Sequence, residues 1–390
     1  MPGPIYLDYA ATTPVDPKVA DAMSACLTMD GVFANPASRS HFFGWQAEEQ
    51  VELARRKVAE LLHCDPREVV WTSGATESNN LALKGVFEAS AEVSASGVRY
   101  TGHLITSSIE HKAVVDPARW LEARGVAVTW LEPNAAGVIS LQQVRDALRP
   151  DTKLVSLMQV NNEVGTINPI ADIGHFCREH KVLLHVDAAQ AAGKVDIDVA
   201  ALNADLVSLS AHKFYGPKGV GALYVRRLIK DQVAPLIHGG GHERGLRSGT
   251  LPTHQLVGMG AAAEMALAGL GGAIQQVAKL RDLLWNGIAD LPGIKRNGAS
   301  DGVSPVHLNV CFSGVEGETL LLSLRELAVS SGSACNSAST TPSYVLKAMG
   351  LSDADAESSI RFSLGRYTQV EDIERAIEHI RKTVSQLLSV

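Results

Sequence analysis

Asp205-Leu-Val-Ser-Leu-Ser-Ala-His-Lys213-Phe-Tyr-Gly-Pro-Lys-Gly-Val-Gly-Ala-Leu-Tyr224 is the stretch whose reading decides the fold. It reads as an apolar strand from Leu206 to Ser210 and a polar break carrying Lys213. A Gly/Pro turn then leads into a second strand, Val220 to Val225. Desolvation disfavours the ammonium form of a lysine at the end of a buried strand. Such a lysine serves as an amine, the state from which Schiff-base lysines work. A lysine that snorkels out of the strand end is the other reading of this segment. The neighbours Ser210 and His212, and what lies upstream, bear on the choice.

Outward from this stretch, strand and helix alternate. Strands are expected at Val69 to Trp71, His103 to Ser107, Val126 to Leu131, Leu154 to Val160 and Val182 to Asp187. Helices are expected from Asp16-Pro17 towards Met29, over Gly44 to Leu62, Leu81 to Glu88, Ala113 to Arg124, Leu141 to Leu148 and Ile170 to His180. Strands at this spacing need crossover helices, so the chain is α/β with a mostly parallel sheet covered on both faces. After about Thr253 the pattern changes. A long helical stretch runs to about Leu291, then come a strand (Val306 to Phe312), a helix (Glu318 to Leu327), a strand (Ser359 to Leu364) and a final helix from Val370. That helix sets Ile373, Ile377, Ile380, Val384 and Leu387 on one face. The expected division is a large domain over 15–260 and a smaller α+β domain over 261–390 joined by 1–14.

Composition narrows the class. At 390 residues with 46% apolar and 20% charged content, the chain can bury two cores and is globular rather than disordered. A net charge of −7 argues against nucleic acid as a partner. Five scattered cysteines without a C-x-x-C pair fit a reducing compartment and exclude the usual zinc spacing, so no resident metal is expected. The start carries no signal-peptide pattern, and the apolar window Leu256 to Ile274 is broken by Glu264. It reads as a packed core helix rather than a membrane span, in a cytoplasmic protein.

Ligands of open parallel sheets bind outside the carboxyl ends of the strands. After Trp71 come Ser73-Gly-Ala75-Thr76, small residues opening a helix, which suit a phosphate site or an ordinary helix cap. After Ser107 comes His111, and after Val160 come Asn161 and Asn162, each with a structural alternative. The strand ending at Asp187 puts a carboxylate there, with Gln190 close behind. A phosphate cradle, an acid, a flat imidazole and a Schiff-base lysine are together what pyridoxal phosphate needs, the acid keeping the pyridine nitrogen protonated. A second stretch, Ser330-Ser-Gly-Ser-Ala-Cys335-Asn-Ser-Ala-Ser-Thr-Thr341, sets one soft nucleophile among small side chains. That suits a thiol which visits a site and leaves carrying something, though a chance surface cysteine reads the same way. Arg361, among apolar strand neighbours, wants a carboxylate from a ligand or from the protein.

These residues resemble the group I cysteine desulfurases of the IscS/NifS type. The resemblance is carried by Tyr6-Leu-Asp-Tyr-Ala-Ala-Thr-Thr-Pro14, Thr72-Ser-Gly-Ala-Thr-Glu-Ser78, Glu110-His-Lys-Ala-Val114 and Asn161-Asn-Glu-Val-Gly165. It extends through His185-Val-Asp187, Ala211-His-Lys213, Gly239-Gly-Gly-His-Glu-Arg244, Arg247-Ser-Gly-Thr250 and the Cys335 run. It implies the fold type I pyridoxal-phosphate architecture, a large domain with a mostly parallel seven-stranded sheet plus a smaller domain.

By that resemblance Lys213 holds the cofactor, and Ala75, Thr76, Ser210 and His212 bind its phosphate, with Thr250 reaching in from the other subunit of a homodimer. Asp187 faces the pyridine nitrogen, Gln190 the phenolic oxygen, and His111 stacks on the ring and moves protons. Asn162 lies against the cofactor and, with Arg361, holds the substrate carboxylate. The implied reaction takes L-cysteine to L-alanine and leaves a persulfide on Cys335. An iron–sulfur scaffold or other acceptor protein then takes the sulfur, and Cys335 could briefly share a partner's cluster. An aminotransferase or other pyridoxal lyase would share Lys213 and Asp187 without needing Cys335, and a selenocysteine lyase is close chemistry. Two departures stand out: Asn336 follows the cysteine where many relatives have threonine, and the chain stops at Val390 where relatives continue with a tail. The expectation from the second is unchanged catalysis with weak docking to a scaffold protein.

Overall fold

The computed structural model describes residues 3–94, 97–331 and 342–388. Seven strands form one large sheet, in the order Val69–Thr72, Gly221–Val225, Leu206–Ser210, Leu183–Asp187, Thr152–Met158, His103–Ser107 and Ala127–Leu131. All run parallel except Gly221–Val225, which is antiparallel to both neighbours. Because side chains alternate along a strand, both faces are apolar. Val69, Trp71, Ile105, Val155, Leu184 and Val207 enter one core, while Val70, Leu104, Leu154, Leu206 and Leu223 enter the other.

A smaller antiparallel sheet follows, in the order Ile294–Asn297, His307–Phe312, Ser359–Ser363 and Ser330–Ser331. It packs with the helices Gly272–Ile288 and Val370–Leu388 around a separate core. Ile373, Ile380 and Val384 of the last helix are buried there, with Ile377 and Leu387 at its margin. Ile5–Tyr6 pairs in parallel with Leu327–Ala328, so the chain's start joins this second body. Asp8 bridges to Ser363, and residues 10 and 11 then pass to the edge of the large sheet.

Several elements differ from the sequence reading. The stretch after Thr253 is two helices, Thr253–Gly269 and Gly272–Ile288, bent by 73° at Leu270-Gly271. Glycine at 271 and 272 costs helix more than the apolar run repays there. The first packs Met259, Ala262 and Ala266 into the large-sheet core. No single helix among the described residues is long and apolar enough to cross a membrane. The helix after Trp71 starts at Ala75 rather than Leu81, and the one after Pro17 ends at Ser24. The helix expected over Glu318 to Leu327 ends at Ser323, because Leu327 and Ala328 are taken up as a strand. Ile294–Asn297, a short and mostly polar strand, gave no apolar signal to read.

Candidate functional site

The carboxyl ends of the parallel strands open into a cleft of about 480 Å³. Its lining includes Ala75, Thr76, His111, Asn162, Asp187, Gln190, Ser210, His212, Lys213 and Arg361. Ten of the residues singled out from sequence thus meet in one place. Thr250 is exposed and is not among the lining residues, and Cys335 lies outside the described residues.

One end of the cleft is built by a close approach of two glycines. A Cβ on Gly221 would sit 2.4 Å from the Leu209 oxygen and 2.6 Å from the Gly74 Cα, so that position is closed to side chains. Gly74 itself has φ 151° and ψ 178°, backbone that glycine alone adopts freely. It is the N-cap of the helix Ala75–Ala89 and offers no side-chain cap, which leaves that helix's first N–H groups for a ligand. Ser210 Oγ stands next to Gly74, 3.5 Å from where its Cβ would be. His212 shares a hydrogen bond of 3.1 Å between Nδ1 and Thr12 Oγ1. Burial, with Lys213, Lys218 and Lys194 nearby, holds its pKa down at about 4, so the ring is uncharged at neutral pH. Arg247 grips Glu77 with Nε 2.8 Å from Oε1, tying the stretch that carries Thr250 to the same helix.

At the centre, Lys213 Nζ donates to the backbone oxygens of Ala10 at 2.6 Å and Ala11 at 2.9 Å. Asp187, buried at the end of its strand, accepts from Ala189 N at 2.9 Å on Oδ1 and from Asn79 Nδ2 at 2.7 Å on Oδ2. Asn79 was not among the predicted residues. One helical turn separates it from Ala75, so helix spacing from the phosphate-cradle residues is the signal that finds it. His111 has a structural part and a place in the cleft. It caps the helix Lys112–Glu122, accepting from Ala113 N at 3.1 Å on Nδ1, and it lines the cleft.

The far end belongs to Arg361. Its guanidinium donates to Asp8 Oδ1 at 2.8 Å, to Ser330 Oγ at 3.2 Å and to the Asn162 oxygen at 2.8 Å. This arginine thus has a protein acid and also lines the cleft. Its Nε and the Asn162 Oδ1 are buried without a hydrogen-bond partner among the described residues. Two acids lie just behind. Burial pushes Glu110 well above the usual carboxyl range, and it accepts from Met158 N at 3.1 Å. Burial likewise raises Glu163 to about 7, opposed in part by the Ser343 hydroxyl, which donates to it at 2.5 Å. Tyr344 donates to the Glu110 oxygen at 2.6 Å. The chain on both sides of 332–341 is thus fastened at the cleft, at Ser330 and at Ser343-Tyr344.

Burial pushes Cys64 and Cys177 up to about 12 and raises Cys26 and Cys311. None of these four suits a thiolate nucleophile. Among the described residues no cluster of histidine, cysteine or acid could hold a metal.

Residues 5–376 match the family model described as aminotransferase class-V. The chain is 58% identical to a protein named cysteine desulfurase IscS from Aeromonas salmonicida, over 98% of this chain and 93% of that one. Among solved structures, a "NifS-like protein" superposes with a TM-score of 0.88 at 37% identity, covering 98% of this chain and all of the other. Another, titled "SspA in complex with cysteine", gives 0.81 at 43% identity over 94% of this chain and 100% of the other.

Proposed function

The chain belongs to the aminotransferase class-V family, and we propose that it is a pyridoxal-phosphate-dependent cysteine desulfurase supplying sulfur to an acceptor protein. The observation that carries this reading is the meeting of Lys213, His111, Asp187, Gln190, Asn162 and Arg361 in one cleft, drawn from separate stretches of the chain. The cleft fits the cofactor. An uncapped helix with Ser210 and uncharged His212 suits a phosphate, and Asp187, held by Asn79, suits a protonated ring nitrogen. When bound, pyridoxal phosphate would supply an electron sink for charge developing at the substrate's Cα.

The chain's own residues would do the rest. Lys213, the amine at the centre, would anchor the cofactor, then take the Cα proton and pass it on with His111. Asn162, with Oδ1 unsatisfied, and Arg361 would hold the carboxylate of L-cysteine. The Cys335 thiolate would attack the substrate sulfur, breaking its bond to Cβ. Cβ gains a proton and is reduced, sulfur is oxidised to the sulfane level, and the products are L-alanine and a persulfide on Cys335. Ser330, bonded to Arg361, is five residues from Cys335, a span of at most about 18 Å. Two expectations enter as further parts of the proposal. Thr250, exposed beside the Arg247–Glu77 pair, would complete the phosphate site of a second copy in a homodimer. A division into two domains is supported by the separate cores of the two sheets, with the helix Thr253–Gly269 on the large-sheet side, so that the boundary falls near residue 270 rather than 260. Free thiols at the four described cysteines suit the cytoplasm.

The test is to incubate the protein with pyridoxal phosphate and L-cysteine, quantify alanine, and map sulfane sulfur by mass spectrometry. Alanine formation with a 32 Da addition on the Cys335 peptide is expected, and its loss in Cys335→Ser. Comparable sulfane sulfur in Cys335→Ser would place the attacking thiol elsewhere, and pyruvate or keto-acid products would favour another class-V reaction.

A further inference from the structure

Gln190 is buried with both ends of its amide engaged. Nε2 donates to the Ala10 oxygen at 2.8 Å, and Oε1 accepts from Lys194 Nζ at 2.9 Å. The Ala10 oxygen has no hydrogen to give, so the amide nitrogen must face it, and the amine supplies the hydrogen at the other end. The Ala10 oxygen is also where Lys213 donates. A continuous run therefore joins two lysines, Lys194 to Gln190 to Ala10 to Lys213.

Lys194 is only 8% exposed. Gly193, at φ 71°, makes the turn that seats it, and a Cβ there would press on Ala266 and Phe214 at 3.1 and 3.2 Å. Burial, with Lys213 and Arg361 nearby, drives its pKa well below the ordinary lysine value, and an uncharged amine still donates. A buried amine kept at this expense has a task that packing alone does not set, because an apolar chain of the same size would fill the space.

We infer that Lys194 is a positioning residue: by donating to Gln190 Oε1 it keeps the amide nitrogen, not the oxygen, turned to the cleft and the Ala10 carbonyl. The amide nitrogen has a second hydrogen, so the arrangement specifies an acceptor oxygen on whatever binds beside Gln190. This rests on the pyridoxal-phosphate reading, in which that acceptor is the ring's phenolic oxygen. Without Lys194, Oε1 is left buried with no donor and the amide is held only at its Ala10 end, so its hold on an acceptor loosens.

The experiment compares two probes on the cofactor-free full chain, pyridoxal 5′-phosphate and its 3-deoxy analogue, which lacks only the phenolic oxygen. Equilibrium dialysis gives a ratio of dissociation constants for each protein. The wild type is expected to prefer the oxygen-bearing probe by about tenfold or more. Lys194→Met should bring that ratio down several-fold. Any effect of the missing oxygen on attachment to Lys213 is common to both proteins and cancels in the comparison. On a Gln190→Ala background, Lys194→Met should change the ratio no further, since it acts through Gln190. An unchanged ratio in Lys194→Met, or a further loss on top of Gln190→Ala, overturns the inference. If the wild type binds neither probe, it is the pyridoxal reading that fails, and this inference with it. Should Lys194→Met not fold, Lys194→Gln, which offers Oε1 an acceptor as readily as a donor, carries the same comparison.

Discussion

The two ends of the cleft are built on opposite plans. At the Gly74 end the protein leaves its donors unspent: a helix without a cap, a serine hydroxyl beside a bare glycine, and an uncharged histidine. At the Arg361 end the strong charge is already answered, by Asp8 at 2.8 Å and by two further acceptors. The first end is preorganised for an anion that stays, because no protein contact must break when it arrives. The second suits a carboxylate that comes and goes. A ligand held there as proposed would share Arg361 with Asp8, which would moderate its grip while keeping the guanidinium aligned.

Lys213→Ala probes the contrast most severely. It should reduce desulfuration by at least about a thousandfold, as expected for loss of the group that moves the proton. Pyridoxal phosphate should nevertheless remain bound through the Gly74 end, which equilibrium dialysis would show. Loss of binding along with activity would mean that the open donors do not hold the phosphate by themselves.

At the other end, Arg361→Ala should raise KM for L-cysteine by roughly 10- to 100-fold, the range for losing a charged hydrogen-bond partner. Asp8→Asn should move KM by only a few-fold, and downward, because the guanidinium charge is no longer shared. A rise of the same size as in Arg361→Ala would show that Asp8 sets the position of the arginine rather than tempering it.

A separate effect is expected on stability. Glu163 has a folded-state pKa of about 7, raised by burial. The folded chain therefore binds the proton more tightly than the unfolded chain between the ordinary glutamate value and about 7. The contribution is fully present below the unfolded value and is lost as pH rises through 7, with a ceiling of about 3 kcal/mol. Glu163→Gln should flatten that part of the unfolding profile measured by urea titration. An unchanged slope between pH 5 and 7 would assign the titration to another group, with Glu110 the first to examine.

Much of this was legible in the chain because its signals are local. Apolar runs of strand length, each ending in a polar residue, mark both the sheet and its carboxyl edge, so Asp187, Ser210 and Lys213 could be placed before any pairing was known. Asp16 before Pro17 announces a helix start in the same way, and its side chain does cap Lys18 N. A glycine pair after Leu270 carried the bend between two helices, but the surrounding alanines and leucines hid it. The contacts that finish the site are of another kind. Asp8 meets Arg361 across 353 residues, Ser343 meets Glu163 across 180 and Asn79 meets Asp187 across 108. Helix spacing can turn Asn79 towards the cleft, but no periodicity in the sequence says which residue it or the others will meet. Those partners are chosen by where the N-terminal segment and the small sheet come to rest against the large one, which is settled by burying both cores at once.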